Sequence, residues 1–469
     1  MKSENKSANS SQSPPIFPAI REDWRRLVDS QLRRFPWFET ILVIALMSMS
    51  LYAALSDAQN LSRQWFTRDD AYYYFKVAQN VSEGRGSTFD GINPTNGYHP
   101  LWMLICIPIF SLARFDLILP LRILLLVMSG LSVATGILLY RLLGKLFAPA
   151  VGAIAALYWV FSYDVLAIVY QQGLETGIAA FFVILLVYKL SEFENSWRAD
   201  RIAGKQIATL GVIAALVMFS RLDLVFLAAM TGLWIIFRGF LLRYFLPLDI
   251  VSIILGALLS FVLRLDLNAY YRQVDVALTM AALALIIKIP CAYFFGLYQH
   301  SSFSRLGNML KRLALFSLAS SAILGGLMLA ITRLGLLQGT FARSTILIDL
   351  AFTLAFFGMT RLIFAGLQTK KMMPTQEDKP LNDLVRHWKH WISEGLIYFG
   401  VVAGSLGIYM IWNKLAFGTA SPVSGQIKQW WASLPGRAYG GAVRDILSFL
   451  GINYWTDANA WNPVSNIVG

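Results

Sequence analysis

Cysteine and formal charge are both scarce in this chain of 469 residues, and no tandem repeat is visible. The two cysteines, Cys106 and Cys291, sit in apolar stretches, which excludes a disulfide framework and a cysteine-based metal site. Charged residues make up 14%, against roughly 25% in a soluble domain, so a soluble globular protein is excluded. An aromatic content of 14% excludes a disordered or nucleic-acid-binding tail. What the chain has instead is apolar surface: 57% of residues are hydrophobic and the mean hydropathy is +0.56. That excess must be solvated by membrane lipids. Forty Lys and Arg against 27 Asp and Glu give a net charge of +13, but the basic residues fall in short clusters between apolar runs. Their spacing reads as membrane topology, with no nucleic acid as partner.

Residues 1–38 form a Ser-, Asn- and Pro-rich segment, expected to be disordered and lacking the apolar core of a signal peptide, followed by a basic cluster. Arg21, Arg25, Arg26, Arg33 and Arg34 directly precede the first apolar run, which holds the N-terminus in the cytoplasm. Apolar runs near the length needed to cross a bilayer predict an all-α polytopic membrane protein with eleven transmembrane helices. They lie at about 40–56, 117–140, 148–163, 177–190, 207–219, 222–237, 247–263, 276–297, 314–331, 345–365 and 394–413. The short segment 101–113, with Pro108 inside it, is expected as a re-entrant or interfacial helix. Lys and Arg then number 23 on cytoplasmic stretches against 14 on outer ones, as the positive-inside rule asks. The membrane domain is thus 39–413, with a first outer loop at 57–116 and an outer C-terminal tail at 414–469. The cytoplasmic loop 368–393 reads as an amphipathic surface helix. Its His387 and His390 have zinc-ligand spacing but no third ligand nearby.

The densest polar patch is Thr67-Arg68-Asp69-Asp70-Ala71-Tyr72-Tyr73-Tyr74-Phe75. Adjacent carboxylates beside a membrane need a partner or a cation. Asp69 or Asp70 reads either as an N-cap for a helix from Ala71 or as a general base in a partly dry pocket; together they are also a candidate pair for a divalent cation. Residues 84–102, rich in Gly, Asn and Pro, predict a structured loop that presents Tyr98 and His99 where the chain re-enters the membrane. His99 is either structural or a phosphate or metal contact. Glu175, in Gln171-Gln172-Gly173-Leu174-Glu175-Thr176-Gly177, either favours a helix dipole or faces Asp69 and Asp70 from the next outer loop. In Ser220-Arg221-Leu222-Asp223, residues two apart do not face each other on a helix, so Arg221 is expected to hold a charged partner elsewhere. Arg122 either snorkels or holds a charge. In the tail, Lys428 with Trp430 and Trp431 reads as an interfacial anchor or as a phosphate partner.

The motifs Asp69 to Phe75, Thr88-Phe89-Asp90-Gly91, Thr95 to Trp102, Gly173-Leu174-Glu175-Thr176, Ser220 to Asp223 and Pro422 to Lys428 resemble those of multi-spanning glycosyltransferases of the GT-C class, in particular a predicted bacterial branch. The resemblance covers about residues 37–431 and is weaker over 240–410. It implies transfer of a sugar from a polyprenyl-phosphate donor to a glycan, lipid or protein acceptor on the outer side of a bacterial plasma membrane. It implies that Asp69 or Asp70 is the catalytic or acceptor-orienting acid and that Glu175 is the second acidic position, with Asp164 as rival. Tyr98, His99, Arg122, Arg221, Asp223 and Lys428 are then substrate-binding candidates. Asp69, Asp70 and Glu175 would be the holders of Mg2+ or Mn2+ if a metal takes part, a metal-free site being equally compatible. Many relatives continue into a larger soluble outer domain beyond the position of Gly469, so the resemblance implies either incomplete acceptor binding here or a sequence that is a fragment of a longer chain. The rival readings are a polytopic transporter or lipid flippase, for which Lys288 within a span is the main pointer, and a non-catalytic scaffold.

Overall fold

The computed structural model describes residues 36–66, 68–199, 204–265, 270, 273–299, 306–336, 341–367, 380–423, 425–427 and 430. The described residues contain no β-strand; a single bridge joins Thr88 and Pro94. The helices are α1 (Trp37–Ala54), α2 (Ala58–Gln64), α3 (Asp69–Ser82), α4 (Pro100–Phe110), α5 (Leu119–Leu146), α6 (Pro149–Phe161), α7 (Thr176–Arg198) and α8 (Gly204–Ser220). They continue with α9 (Val225–Ile236), α10 (Leu242–Leu265), α11 (Val274–Phe294), α12 (Leu306–Arg333), α13 (Ser344–Leu367) and α14 (Pro380–Phe417).

Eight of these, α1, α5, α7 and α10 to α14, are long and apolar enough to cross a membrane. A ninth span results if α6 and the stretch Tyr163–Tyr170, bent by 53° to it, count as one. The protein is a multi-pass, all-helical integral membrane protein. All eleven apolar runs read from the sequence are helical, but α8 and α9 are too short to cross by length alone. The helix α4, with the 3-10 turn Ser111–Arg114 after it, is also too short. The described part of the 368–393 loop is helical from Pro380 onward. A kink at His387 (φ −121°, ψ 31°) sets these first turns of α14 apart from the helix of the final span.

The described residues divide into two compact units, one within Met1–Ser82 and Ile105–Tyr188, the other within Glu83–Leu104 and Lys189–Gly469. In the first, α5 and α6 pack closely because small residues line the contact. A Cβ on Gly152 would meet the Tyr140 carbonyl oxygen and lie 2.8 Å from the Gly144 nitrogen, and one on Gly136 would lie 2.8 Å from Val160. Close backbone approach of this kind is how helices associate in lipid, where burial of apolar surface gives no net drive. Helix α1 closes this core through Leu42 and Leu46 against Val133, Ala156 and Val160.

In the second unit α8, α9 and α14 pack together, and the Tyr398 hydroxyl donates to the Ala228 carbonyl at 2.7 Å. Helices α10 to α13 enclose Phe245, Phe261, Met280, Phe316 and Phe357. They also enclose two ion pairs. Lys288 donates to both Asp349 oxygens at 2.8 and 2.7 Å and to the Thr353 hydroxyl at 2.6 Å, with lysine and aspartate fully buried. Arg361 forms a two-pronged pair with Asp249, its second bond at 2.6 Å, between the rings of Phe245 and Phe357. The sequence showed the two cations within spans but not the partners that neutralise them.

Candidate functional site

In the first unit, the chain leaves α1 and caps α2 with Asp57, whose Oδ1 accepts the Gln59 and Asn60 amides at 3.0 Å each. These bonds hold its carboxyl below the ordinary 3.8. The segment after α2 is anchored by buried Trp65 and Phe66. Phe66 adopts φ +58°, a costly conformation for a residue with a Cβ. It is stabilised there because its N–H donates to the Gln171 carbonyl at 2.6 Å. From the other side Gly173 (φ +72°) comes so close that a Cβ would lie 2.6 Å from the Phe66 ring and 3.1 Å from Phe75. Only glycine satisfies both the backbone angle and the space. The two loops that carry the acidic motifs are therefore locked to each other.

The second of these loops follows an abrupt change of helix type. After the break at Ser162 the chain makes the turn Tyr163–Val165 and then a π-helical turn, Leu166–Tyr170; π turns recur at functional sites. Tyr170 is buried and its hydroxyl accepts from Trp159 Nε1 at 3.1 Å. Between the two loops lies a cleft of about 700 Å3, walled by Arg63, Gln64, Arg68, Tyr163, Gln171 and Gln172. Two guanidinium groups, three amides and a phenol make a cationic lining rich in hydrogen-bond donors, with no carboxylate. None of the site residues named from the sequence lines this cleft. The signal that would have found it is the pair of arginines flanking the apolar Trp65-Phe66 anchor.

Asp69 and Asp70 follow Arg68 directly and open α3 rather than preceding it. The Asp69 Oδ1 accepts the Asp70 amide at 3.0 Å, and both residues are exposed. The buried stripe of α3 runs through Ala71, Tyr74, Phe75 and Ala78, so the two carboxylates of the first turn stand off the packed face. Glu175 is buried and immediately precedes α7, its carbonyl accepting the Ala179 amide at 3.0 Å. Asp164 is exposed. Arg122, in the first turn of α5, donates to the Ser56 carbonyl just past the end of α1 at 3.3 Å, a cation placed favourably at a helix C-terminus.

In the second unit, residues 83–99 form the expected structured loop. Asp90 Oδ1 accepts the Ile92 and Asn93 amides at 2.8 Å each, and Oδ2 accepts the Asn93 side chain at 2.6 Å. These bonds lower its pKa to about 2. Tyr98 is buried with its hydroxyl 2.7 Å from the Ser87 hydroxyl, and buried Asn96 accepts the Val423 amide at 2.9 Å. His99 Nδ1 accepts the Leu222 amide at 3.2 Å, which requires that nitrogen to be unprotonated. His99 is thereby joined to the Arg221–Asp223 turn. Arg221 does hold its near neighbour, contrary to the helical argument, through Nε and Nη2 to the two Asp223 oxygens at 3.2 and 3.1 Å. The helix has ended: Arg221 is extended (φ −148°, ψ 119°) and caps a 3-10 turn, so helical spacing does not apply. Lys428 lies outside the described residues.

Among the described residues no three His, Cys, Asp or Glu side chains gather as a metal site, so Asp69, Asp70 and Glu175 do not form one three-carboxylate cluster. His387 instead faces Asp383 at 3.0 Å and His390 faces Glu394 at 3.2 Å. Comparison of the chain with family models, curated proteins and solved structures gives no match.

Proposed function

We propose that this protein is a glycosyltransferase that moves a sugar from a polyprenyl-phosphate donor to an acceptor hydroxyl at the outer face of a bacterial plasma membrane. The observation that carries the reading is the cationic cleft of about 700 Å3 between two interlocked loops of a membrane protein, with Asp69 and Asp70 following directly on one of its arginines. A prenyl chain stays in lipid, so the chemistry belongs at a loop-lined edge of the helical domain. In the reaction the acceptor oxygen forms a bond to the anomeric carbon. The bond from that carbon to the phosphate oxygen breaks, and its electron pair leaves with the polyprenyl phosphate. The hydroxyl proton passes to the carboxylate of Asp69 or Asp70, then to water. Alignment of acceptor and leaving group supplies much of the rate, and cations near the leaving phosphate stabilise its growing charge. The N-terminus is cytoplasmic in this reading, with 57–116 and 414–469 outside, and α8, α9 and the bent α6 segment complete eleven spans. Purified protein in lipid nanodiscs given radiolabelled polyprenyl-phosphate sugars releases or transfers sugar, and Asp69→Asn or Asp70→Asn abolishes this.

A transporter or flippase is the second reading. It is favoured by the fully buried Lys288–Asp349 and Arg361–Asp249 pairs, since ionisable groups within a membrane bundle mark functional paths in many proteins. Solute or lipid movement in proteoliposomes that persists in Asp69→Asn and Asp70→Asn protein, with no sugar transfer by wild type, selects it.

A further inference from the structure

We infer that Arg63 and Arg68 form the seat of the lipid donor's phosphate, a role that the sequence motifs had distributed among Arg122, Arg221, His99 and Lys428. This rests on the proposed sugar transfer. Of those four, Arg122 is turned to the end of α1, Arg221 is held by Asp223, His99 Nδ1 is bonded to the Leu222 amide and Lys428 lies outside the described residues. Arg63 and Arg68 differ: both are exposed, and neither guanidinium has an ion pair or hydrogen bond among the described residues. They stand on either side of Trp65 and Phe66, whose burial turns the chain inward between them. The Phe66 amide, bonded to the Gln171 carbonyl across a strained turn, fixes both arginines on the wall that Gln171 and Gln172 share.

The charge of the cleft suits the reaction. A sugar-bearing prenyl phosphate is a diester with one negative charge; when the sugar leaves, the monoester carries close to two. Two guanidinium groups with no partner among the described residues, and no carboxylate among the wall residues, match the product-like charge better than the ground state, which is the condition for accelerating the chemical step. Arginine also offers paired donors to phosphate oxygens. Gln64, Gln171, Gln172 and Tyr163 then supply neutral donors and acceptors for sugar hydroxyls, and the volume falls within the range of small-molecule sites.

The test is equilibrium binding of radiolabelled farnesyl phosphate to the full chain in nanodiscs of uncharged lipid. Competing arms use farnesol, inorganic phosphate, and nanodiscs containing phosphatidylglycerol. The variants are Arg63→Gln, Arg68→Gln, the double variant, Arg63→Lys, and, as control, Arg141→Gln near the C-terminal end of α5, where the side chain pairs with Glu39. Each single Gln change weakens binding about tenfold and the double variant abolishes it; Arg63→Lys retains part of the affinity, and Arg141→Gln leaves it unchanged. Competition by inorganic phosphate without farnesol identifies phosphate as the recognised group. Suppression by phosphatidylglycerol alone makes the occupant a bulk phospholipid and overturns the donor assignment. Wild-type affinity in the double variant overturns the inference even if Asp69→Asn abolishes sugar transfer. Arginine-dependent farnesyl phosphate binding without transfer from any donor leaves the phosphate seat standing and sinks the enzyme reading.

Discussion

Replacing Lys288 by Met tests how the α10 to α13 bundle is held together. The lysine uses all three of its N–H donors on Asp349 and Thr353, and both charged residues are fully buried. Thr353 in turn donates to the Asp349 carbonyl at 2.7 Å, so the three groups form one closed network. Removing the lysine leaves a carboxylate with no countercharge in a region of low dielectric, at a cost of about 3–5 kcal/mol. Partners that the unfolded chain finds within the bilayer lower such costs, which still leaves about 2 kcal/mol. Asp349→Leu alone orphans the ammonium and costs a similar amount. The double variant removes both charges together and costs less than either single one. A double-mutant cycle measured by reversible unfolding in bicelles reads this coupling directly. Costs that simply add, with the double variant the worst of the three, would refute the assignment of the pair as a mutually neutralising unit.

Three further outcomes follow from the geometry. Gly152→Leu places a side chain against the α5 backbone at Tyr140 and Gly144, destabilising the first unit by about 3 kcal/mol; unchanged thermal stability in detergent would show that α5 and α6 do not approach this closely. Asn96→Ala orphans the Val423 amide and costs about 1–3 kcal/mol, read as faster proteolysis of the chain after α14; no change in cleavage would contradict the contact. The Asp90 turn depends on an ionised carboxylate whose pKa is lowered from 3.8 to about 2. Its contribution is therefore present above about pH 4 and disappears as pH falls through about 2. Over that interval pepsin cleavage of the wild type between residues 90 and 97 should rise to the level seen in Asp90→Ala, the ratio of the two cancelling pepsin's own pH dependence.

Much of the architecture was legible because hydropathy reports membrane exposure directly. Every apolar run became a helix, and the Gly- and Asn-rich stretch before α4 became the expected ordered loop. Partnership was not legible in the same way. Asp249 and Asp349 sit singly in apolar runs, and nothing in one sequence says that α10 faces α13 or that α11 faces it too. Arg221 and Asp223 pair because the chain has left the helix at Arg221, a break that the residue spacing alone does not reveal. At the candidate site, attention to acidic motifs singled out Asp69 and Asp70. The basic residues that wall the adjoining cleft, Arg63 and Arg68, flank the apolar pair Trp65-Phe66 in the sequence, but their convergence depends on the positive φ of Phe66, which that pattern does not encode.

The central claim is tested most directly by sugar transfer from radiolabelled polyprenyl-phosphate sugars by purified protein in nanodiscs, comparing wild type with Asp69→Asn and Asp70→Asn, with and without EDTA. The account predicts transfer by wild type, its loss in at least one variant that keeps wild-type thermal stability, and an EDTA arm that reads metal dependence. Transfer at the wild-type rate in both variants would contradict it, as would the absence of transfer from every donor by protein that binds farnesyl phosphate.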